Sequence, residues 1–336
     1  MSEPGASSEY SAVRNGGAGV IDLSARGRLL ISGSEAVMFL NGLITNDMKT
    51  LGVSSWMPAV FPNVQGRLLA AVRIIHRQDG FLIDTEEPTF ETVTKLLERF
   101  TLAGDFRLTD CASQTAMLSV QGQHAADVMR QTFGETAGNV ERQKVFTGQF
   151  EDDSNVSIIR ATHTAEDGFD LFVDRNEAQA LHGSLTTAGA QPVGAEALEV
   201  LRIEAGIPRY GIDMDETNVV TETNLDDAVS FTKGCYIGQE IIARIKYRGH
   251  VAKKLTGLIF GSGVVLENAA KIFSTDDKEI GRVTSVTFSP RLERTVALGY
   301  VKYDYLAPGT NVKIVSLQNE FPATVSELPL IRGSWY

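Results

Sequence analysis

The stretch Arg67-Leu-Leu-Ala-Ala-Val-Arg-Ile-Ile-His76, with Gln78-Asp79-Gly80 and Phe81-Leu-Ile-Asp84 after it, decides the fold class. The first segment is long, largely apolar and follows a Val64-Gln65-Gly66 turn, so it reads as a strand. Gln-Asp-Gly is a tight-turn signal, and Phe81–Asp84 is the returning strand of a hairpin. A hairpin makes antiparallel neighbours, whereas parallel strands need a helical crossover. Upstream, Arg28–Ser32 and Trp56–Phe61 read as strands around a helix from Glu35 to Leu43. Downstream, Pro88 opens a helix to about Arg99, with Phe90, Val93, Leu96 and Leu97 at helical spacing.

The middle third repeats this alternation. Strands are expected at 116–120, 146–150, 156–161 and 168–173, and helices at 122–133 and 177–188. Hairpin-linked strands with helices between them imply α+β sheets covered on one face. No Walker loop and no dinucleotide-type glycine triplet follows a strand. Ala195–Ala205 is a further helix, stopped by Gly206. From Lys254 onward, short strand-like runs separated by Gly, Pro, Asn and Asp turns indicate an all-β module, a small barrel or jelly roll.

A length of 336 residues suits two or three domains. Residues 1–18 are Ser-, Gly- and Ala-rich and are expected to form a partly disordered tail without signal or transit character. The α+β region is expected over 19–250 and the β module over 251–336. A net charge of −11 argues against a general nucleic-acid coat protein. The two cysteines, Cys111 and Cys235, read as reduced thiols in a cytoplasmic setting and cannot alone ligate an iron–sulfur cluster. The five histidines are not closely paired, so no metal site is expected. No apolar run is long enough to span a membrane.

The most conspicuous local motif is Lys233-Gly-Cys-Tyr-Ile-Gly-Gln-Glu240. Cys235 reads either as a thiol activated by Lys233 and Arg244 or as a small side chain packed in a turn. Lys233, Arg244, Lys246, Arg248, Lys253 and Lys254 form a basic run with one acid, Glu240. It is either a solvated face paired with the acidic segment 213–227 or a site for carboxylates, phosphates or RNA backbone. Glu204, beside Arg202, is either a surface charge or a cleft carboxylate able to grip a heterocycle.

Over nearly its whole length the chain resembles the glycine cleavage T-protein superfamily. Gly19-Val-Ile-Asp-Leu-Ser24, Gly33 with Phe39-Leu40, Thr45-Asn-Asp47 and Gly66-Arg-Leu-Leu69 are similar to its N-terminal half. Arg202-Ile-Glu-Ala-Gly206 with Tyr210-Gly211 resembles its central folate-binding helix and turn. Ile280-Gly-Arg-Val-Thr-Ser285 and Ala297-Leu-Gly-Tyr-Val301 resemble its C-terminal β-barrel. Lys233–Glu240 looks like the signature of the YgfZ-type branch and its mitochondrial counterpart, whereas the aminomethyltransferases carry Phe-Ile-Gly there without the cysteine.

The resemblance implies three lobes around a central folate-sized hole. Two are interwoven α+β lobes with antiparallel sheets, 19–110 with 195–250 and 111–194; the third is a C-terminal β-barrel. It implies a protein that binds tetrahydrofolate or a one-carbon derivative and supports iron–sulfur cluster assembly or repair. Expected partners are iron–sulfur client or assembly proteins, with a weak tRNA contact. The alternative is a tetrahydrofolate-dependent aminomethyltransferase or demethylase. Carried over by residue, Glu204 beside Arg202 would bind the pterin, Cys235 would be the functional thiol, and Lys233, Tyr236 and Gln239 would shape its loop. Arg244 and Arg248 offer partners for the folate glutamate. The aminomethyltransferases place an Asp near folate N5; Glu91, in Asp84-Thr-Glu-Glu-Pro-Thr-Phe-Glu91, is the match here, although the local pattern departs from theirs.

Overall fold

The hairpin forms as expected. In the computed structural model, which describes residues 4–151, 154–261, 264, 266, 270–316 and 319–336, the N-terminal elements are α1 (Pro4–Arg14), β1 (Gly19–Asp22), β2 (Gly27–Ser32), α2 (Ala36–Leu43), β3 (Ser55–Pro62), β4 (Leu68–Arg77), β5 (Gly80–Thr85), α3 (Phe90–Glu98) and β6 (Arg107–Asp110). Gly80 turns the hairpin at φ +139°, where a Cβ would lie 2.3 Å from the Ile31 carbonyl oxygen. β4 and β5 then pair antiparallel, Arg73 opposite Asp84. They sit in a five-stranded antiparallel sheet ordered β3-β4-β5-β2-β6. Helices α2 and α3 cover one face, burying Leu40, Val93 and Leu97 against Leu29, Ile74 and Ile83.

The middle elements are β7 (Thr115–Gln121), α4 (Ala125–Phe133), α5 (Glu135–Gly138), β8 (Val145–Phe150), β9 (Ser154–Arg160), β10 (Gly168–Asp174), α6 (Ala178–Thr187) and β11 (Gln191–Pro192). Their six-stranded sheet is ordered β11-β1-β7-β10-β9-β8. Thus β1 leaves the lobe of its sequence neighbours and pairs with β7 and β11. The reason is that both of its faces are apolar: Val20 enters the core with Phe169 and Leu171, and Ile21 packs with α1 and the next helix. The outer faces of the two sheets are covered by helices, while Ile75 and Leu82 of one meet Met117, Ile159 and Phe172 of the other.

Helix α7 (Ala195–Glu204) and a long irregular connection lead to α8 (Gln239–Arg248). Strands β12 (Lys253–Phe260), β13 (Lys271–Ser274), β14 (Glu279–Ser289), β15 (Arg294–Lys302), β16 (Asn311–Ser316) and β17 (Asn319–Ser326) close a six-stranded barrel. Leu258, Ile272, Val283, Val301, Ile314 and Val325 fill it. The expected three-part architecture therefore holds.

The N-terminal segment differs from expectation. α1 is helical from Pro4, and Tyr10 and Val13, three residues apart, are buried against Val193, Ala197 and Leu201. Arg14 is also buried, bonded to Glu166 and Glu204. Residues 1–3 lie outside the described part of the chain.

Candidate functional site: a cavity where the three lobes meet

A cavity of about 780 Å³ opens between the lobes. The first sheet contributes Trp56 and Val72, the second lobe Ala161 and His163, the connection after α7 Ile207, and the barrel Leu255 and Leu328. Its wall carries the polar groups Arg26, Arg73, Glu86, His163 and Lys254.

The β4–β5 register builds the floor. Arg26 holds Asp84 bidentately, Nε to Oδ1 at 2.8 Å and Nη2 to Oδ2 at 2.7 Å. Arg73 Nε donates to Asp84 at 2.8 Å and its Nη1 to Asp170 on β10. His163 Nε2 lies 3.0 Å from Asp170 Oδ2. A chain Arg26–Asp84–Arg73–Asp170–His163 therefore crosses from one sheet to the other. Asp84 and Asp170 are fully buried. Burial alone would push both carboxyls up. Arg26 and Arg73 instead hold Asp84 below the usual carboxylate range, and His163 and Arg73 do the same for Asp170.

Glu86 is a half-buried carboxylate of this wall, which Asp226, Asp227 and Glu327 also line. It follows the end of β5 on the same side of the extended chain as Asp84, two residues earlier. The only hydrogen bonds it accepts among the described residues are long ones from the Tyr210 backbone N–H, at 3.2 and 3.4 Å. An ionised carboxylate has about four lone-pair sites, so acceptor capacity remains. Burial pushes the Glu86 carboxyl up, against the opposing pull of Arg26, the Tyr210 N–H and Arg209.

Of the residues singled out from the sequence, Lys254 of the basic run lines this cavity; Glu91, Glu204, Arg202, Lys233, Cys235, Tyr236, Gln239, Arg244 and Arg248 lie elsewhere. Glu91 projects from α3 away from its buried Val93–Leu97 face and pairs with Lys95 at 2.6 Å in solvent. Glu204 is fully buried, its carboxylate accepting from Tyr10, Arg14 and Ser289, so it ties α1 and the barrel to α7. Arg202 donates to Asp213 at 2.5 Å and Ser285 at 2.7 Å and pairs with Glu199, which docks the barrel on the connection.

Lys233 buries its ammonium among the carbonyls of Asn41, Ile44 and Asn46 at 2.6–3.0 Å, the orphan acceptors at the end of α2. Burial lowers it to about 8. Tyr236 packs with Val60, Leu68 and Ile242, burial raising it to about 12. Gln239 donates to the Lys233 and Gly234 carbonyls at 3.3 and 3.4 Å. Cys235 is exposed, as are Arg244 and Arg248 on α8. Glu86 stands in the same segment, Asp84–Glu91, in which the resemblance points to Glu91. The signal available was the same-face pair Asp84 and Glu86 leaving a buried strand.

Among the described residues no group of three or more His, Cys, Asp or Glu could hold a metal ion, and no helix is long and apolar enough to cross a membrane.

Residues 2–233 match the family model of the GCVT N-terminal domain, and residues 253–331 that of the glycine cleavage T-protein C-terminal barrel domain. The chain belongs to the glycine cleavage T-protein family. Aminomethyltransferases from Rubrobacter xylanophilus and a Picosynechococcus species are 30% and 28% identical to it. The first alignment covers 98% of this chain and 87% of the relative, the second 97% and 90%. The crystal structure of glycine cleavage system aminomethyltransferase T from Bartonella henselae superposes with a TM-score of 0.87 at 23% identity, over 97% of this chain and 90% of that one, which establishes the T-protein fold.

These relatives overturn the expectation of a YgfZ-type iron–sulfur assembly factor. The likeness to aminomethyltransferases runs through both family domains at nearly full length, whereas the YgfZ assignment rested on one eight-residue motif. Iron–sulfur clients and a tRNA contact find no support among them. The expected cofactor class stands: aminomethyltransferase relatives use tetrahydrofolate as the one-carbon carrier.

Proposed function

We propose that this protein is a tetrahydrofolate-dependent aminomethyltransferase whose site is the cavity between the three lobes. The observation that carries the reading is Glu86, a half-buried carboxylate with open acceptor positions on the wall of a cavity bounded by every lobe. The donor set suits a reduced folate. The volume of about 780 Å³ falls within the roughly 300–1,000 Å³ of ordinary small-molecule sites. Trp56, Val72 and Leu255 offer apolar walls for a flat ring system, and Glu86 can accept from the N–H edge of an aminopyrimidine. Lys254, half-buried at the barrel rim and 3.6 Å from Asp226, supplies a cation for an anionic tail.

Tetrahydrofolate, when bound, supplies the nucleophilic nitrogens that accept the one-carbon unit. The protein supplies orientation and charge. The Arg26–Asp84–Arg73–Asp170 chain holds both sheets in register beneath the cavity, so the floor needs no reorganisation when substrate enters. Glu86, its carboxyl raised by burial, can hold or move a proton near neutral pH better than an exposed carboxylate.

The test is direct. Purified protein mixed with tetrahydrofolate and an aminomethyl donor should release ammonia and form 5,10-methylenetetrahydrofolate in equal amounts. Calorimetry should show tetrahydrofolate binding that Glu86→Gln weakens and Glu91→Gln does not. Binding without ammonia release by the wild type would reject the transferase reading.

A further inference from the structure

We propose that His163 is the proton-transfer residue of the cavity, positioned by Asp170; the proposal rests on the aminomethyltransferase reading. His163 lies between β9 and β10, lines the cavity and has a largely buried side chain, 19% exposed. Its backbone N–H donates to Gln121 Oε1 at 2.9 Å, which fixes the loop that carries it. Its Nε2 sits 3.1 and 3.0 Å from Oδ1 and Oδ2 of Asp170. Arg73 grips the same carboxylate from β4, so Asp170 cannot swing away from the ring.

The tautomer follows from the charges. Asp170, fully buried and paired with Arg73, is an ionised carboxylate and only accepts. Nε2 must therefore carry the hydrogen, and in the neutral ring the lone pair resides on Nδ1. Among the described residues no hydrogen bond engages Nδ1. The result is an imidazole oriented through one nitrogen by a buried carboxylate, with its other nitrogen unengaged on a cavity-lining residue. A general base needs this arrangement. The other charged groups around the cavity include Arg73 on β4 and, along the wall, Arg26, Glu86, Lys254, Asp226, Asp227 and Glu327.

Aminomethyl transfer needs such a residue. The acceptor nitrogen loses a proton as its bond to the one-carbon unit forms. The amine must gain one as its own bond to that carbon breaks, to leave as ammonia. His163 Nδ1 takes the first proton and delivers it to the amine. That step forms one C–N bond and breaks one; closure to 5,10-methylenetetrahydrofolate then forms the second C–N bond from the other folate nitrogen, whose proton goes to the donor atom that held the one-carbon unit as that bond breaks, and nothing is oxidised or reduced.

The test compares wild type with His163→Gln, whose amide can still donate to Asp170 but offers no base in place of Nδ1. Tetrahydrofolate affinity measured by calorimetry should stay within about threefold, while kcat for ammonia release falls about 10²- to 10³-fold, the range of general acid–base catalysis. In the ligand-free wild type, ¹⁵N spectra of His163 should show the Nε2–H tautomer, and its Nδ1 signal should move when tetrahydrofolate is added. An active wild type matched by an equally active His163→Gln overturns the proposal and leaves the transferase reading intact. So does an Nδ1–H tautomer. A wild type that binds tetrahydrofolate but releases no ammonia removes both. Should His163→Gln fail to fold, the wild-type spectra still decide whether the ring is poised as stated.

Discussion

The Lys233–Glu240 segment and the β4–β5 hairpin both bury charge, but they spend its hydrogen-bonding capacity differently. The Lys233 ammonium has three protons and gives them to three backbone carbonyls at the end of α2. Nothing is left over for a ligand, and Cys235 beside it faces solvent. The hairpin also satisfies its core ions: Arg26 and Arg73 with Asp84, and Arg73 with Asp170. Yet it ends in Glu86, whose carboxylate meets one backbone N–H and otherwise borders a cavity. A buried charge that its own chain has fully enclosed is a staple. One left short of partners beside open space is a candidate for binding.

The sharpest way to break the comparison is at Arg73. Arg73→Met leaves two buried carboxylates short of a cation, which should cost about 3–5 kcal/mol in urea unfolding at neutral pH. It should also weaken the acid dependence. In the wild type Asp84 and Asp170 are held below the usual range, so their stabilisation is complete above about pH 4 and is lost as the pH falls below it. Without Arg73, Asp170 keeps His163 and Asp84 keeps Arg26 against burial, so both folded values rise towards the unfolded ones. Less stabilisation is then gained above about pH 4 and less is lost below it, so the acid limb should flatten. A wild-type-like acid limb in the variant would show that Arg73 does not govern these carboxylates.

Glu86→Gln comes next. It should lower kcat for methylenetetrahydrofolate formation by about 10²-fold, or about 2.7 kcal/mol, while shifting stability by less than about 1 kcal/mol. Glu91→Gln, on the exposed face of α3, should leave both within error. A larger loss at Glu91 than at Glu86 would invert the assignment of the cavity carboxylate.

Lys233→Met is expected to cost about 1–3 kcal/mol in unfolding, because it leaves carbonyls of the α2 terminus unsatisfied, with kcat near the wild-type value in whatever fraction remains folded. Cys235→Ser should be the quietest change, within about 0.5 kcal/mol of wild type and fully active. Activity lost with Cys235 alone would return chemistry to the loop.

Much of the architecture was legible because it rests on local periodicity. The hairpin, helices α2, α3, α4, α6 and α7 and the β module after Lys254 fall where helical spacing, alternation and turn residues put them. What escaped was long-range. β1 reads like its neighbours in sequence, but it is recruited by β7 and β11 because both of its faces are apolar. α1 was hidden by small residues that masked the spacing of Tyr10 and Val13. The site suffered most. Arg26, Arg73, Glu86, His163 and Asp170 are unremarkable charges in their own segments, and only the stacking of two sheets gathers them. The contiguous Lys233–Glu240 motif drew attention because it is contiguous, a property that cavities assembled from several elements lack.

The wandering of β1 bears on how the chain is made. As a nascent polypeptide emerges, Gly19–Asp22 meets its antiparallel partner only when Thr115–Gln121 is out, and its parallel partner only at Gln191–Pro192. Arg14 meets Glu166 between these two and waits longest for Glu204. The first sheet can collapse on the ribosome while Gly19–Asp22 remains an unpaired apolar strand. That interval, more than any instability of the finished molecule, is when this protein is exposed to mispairing, and when a chaperone would find most to hold.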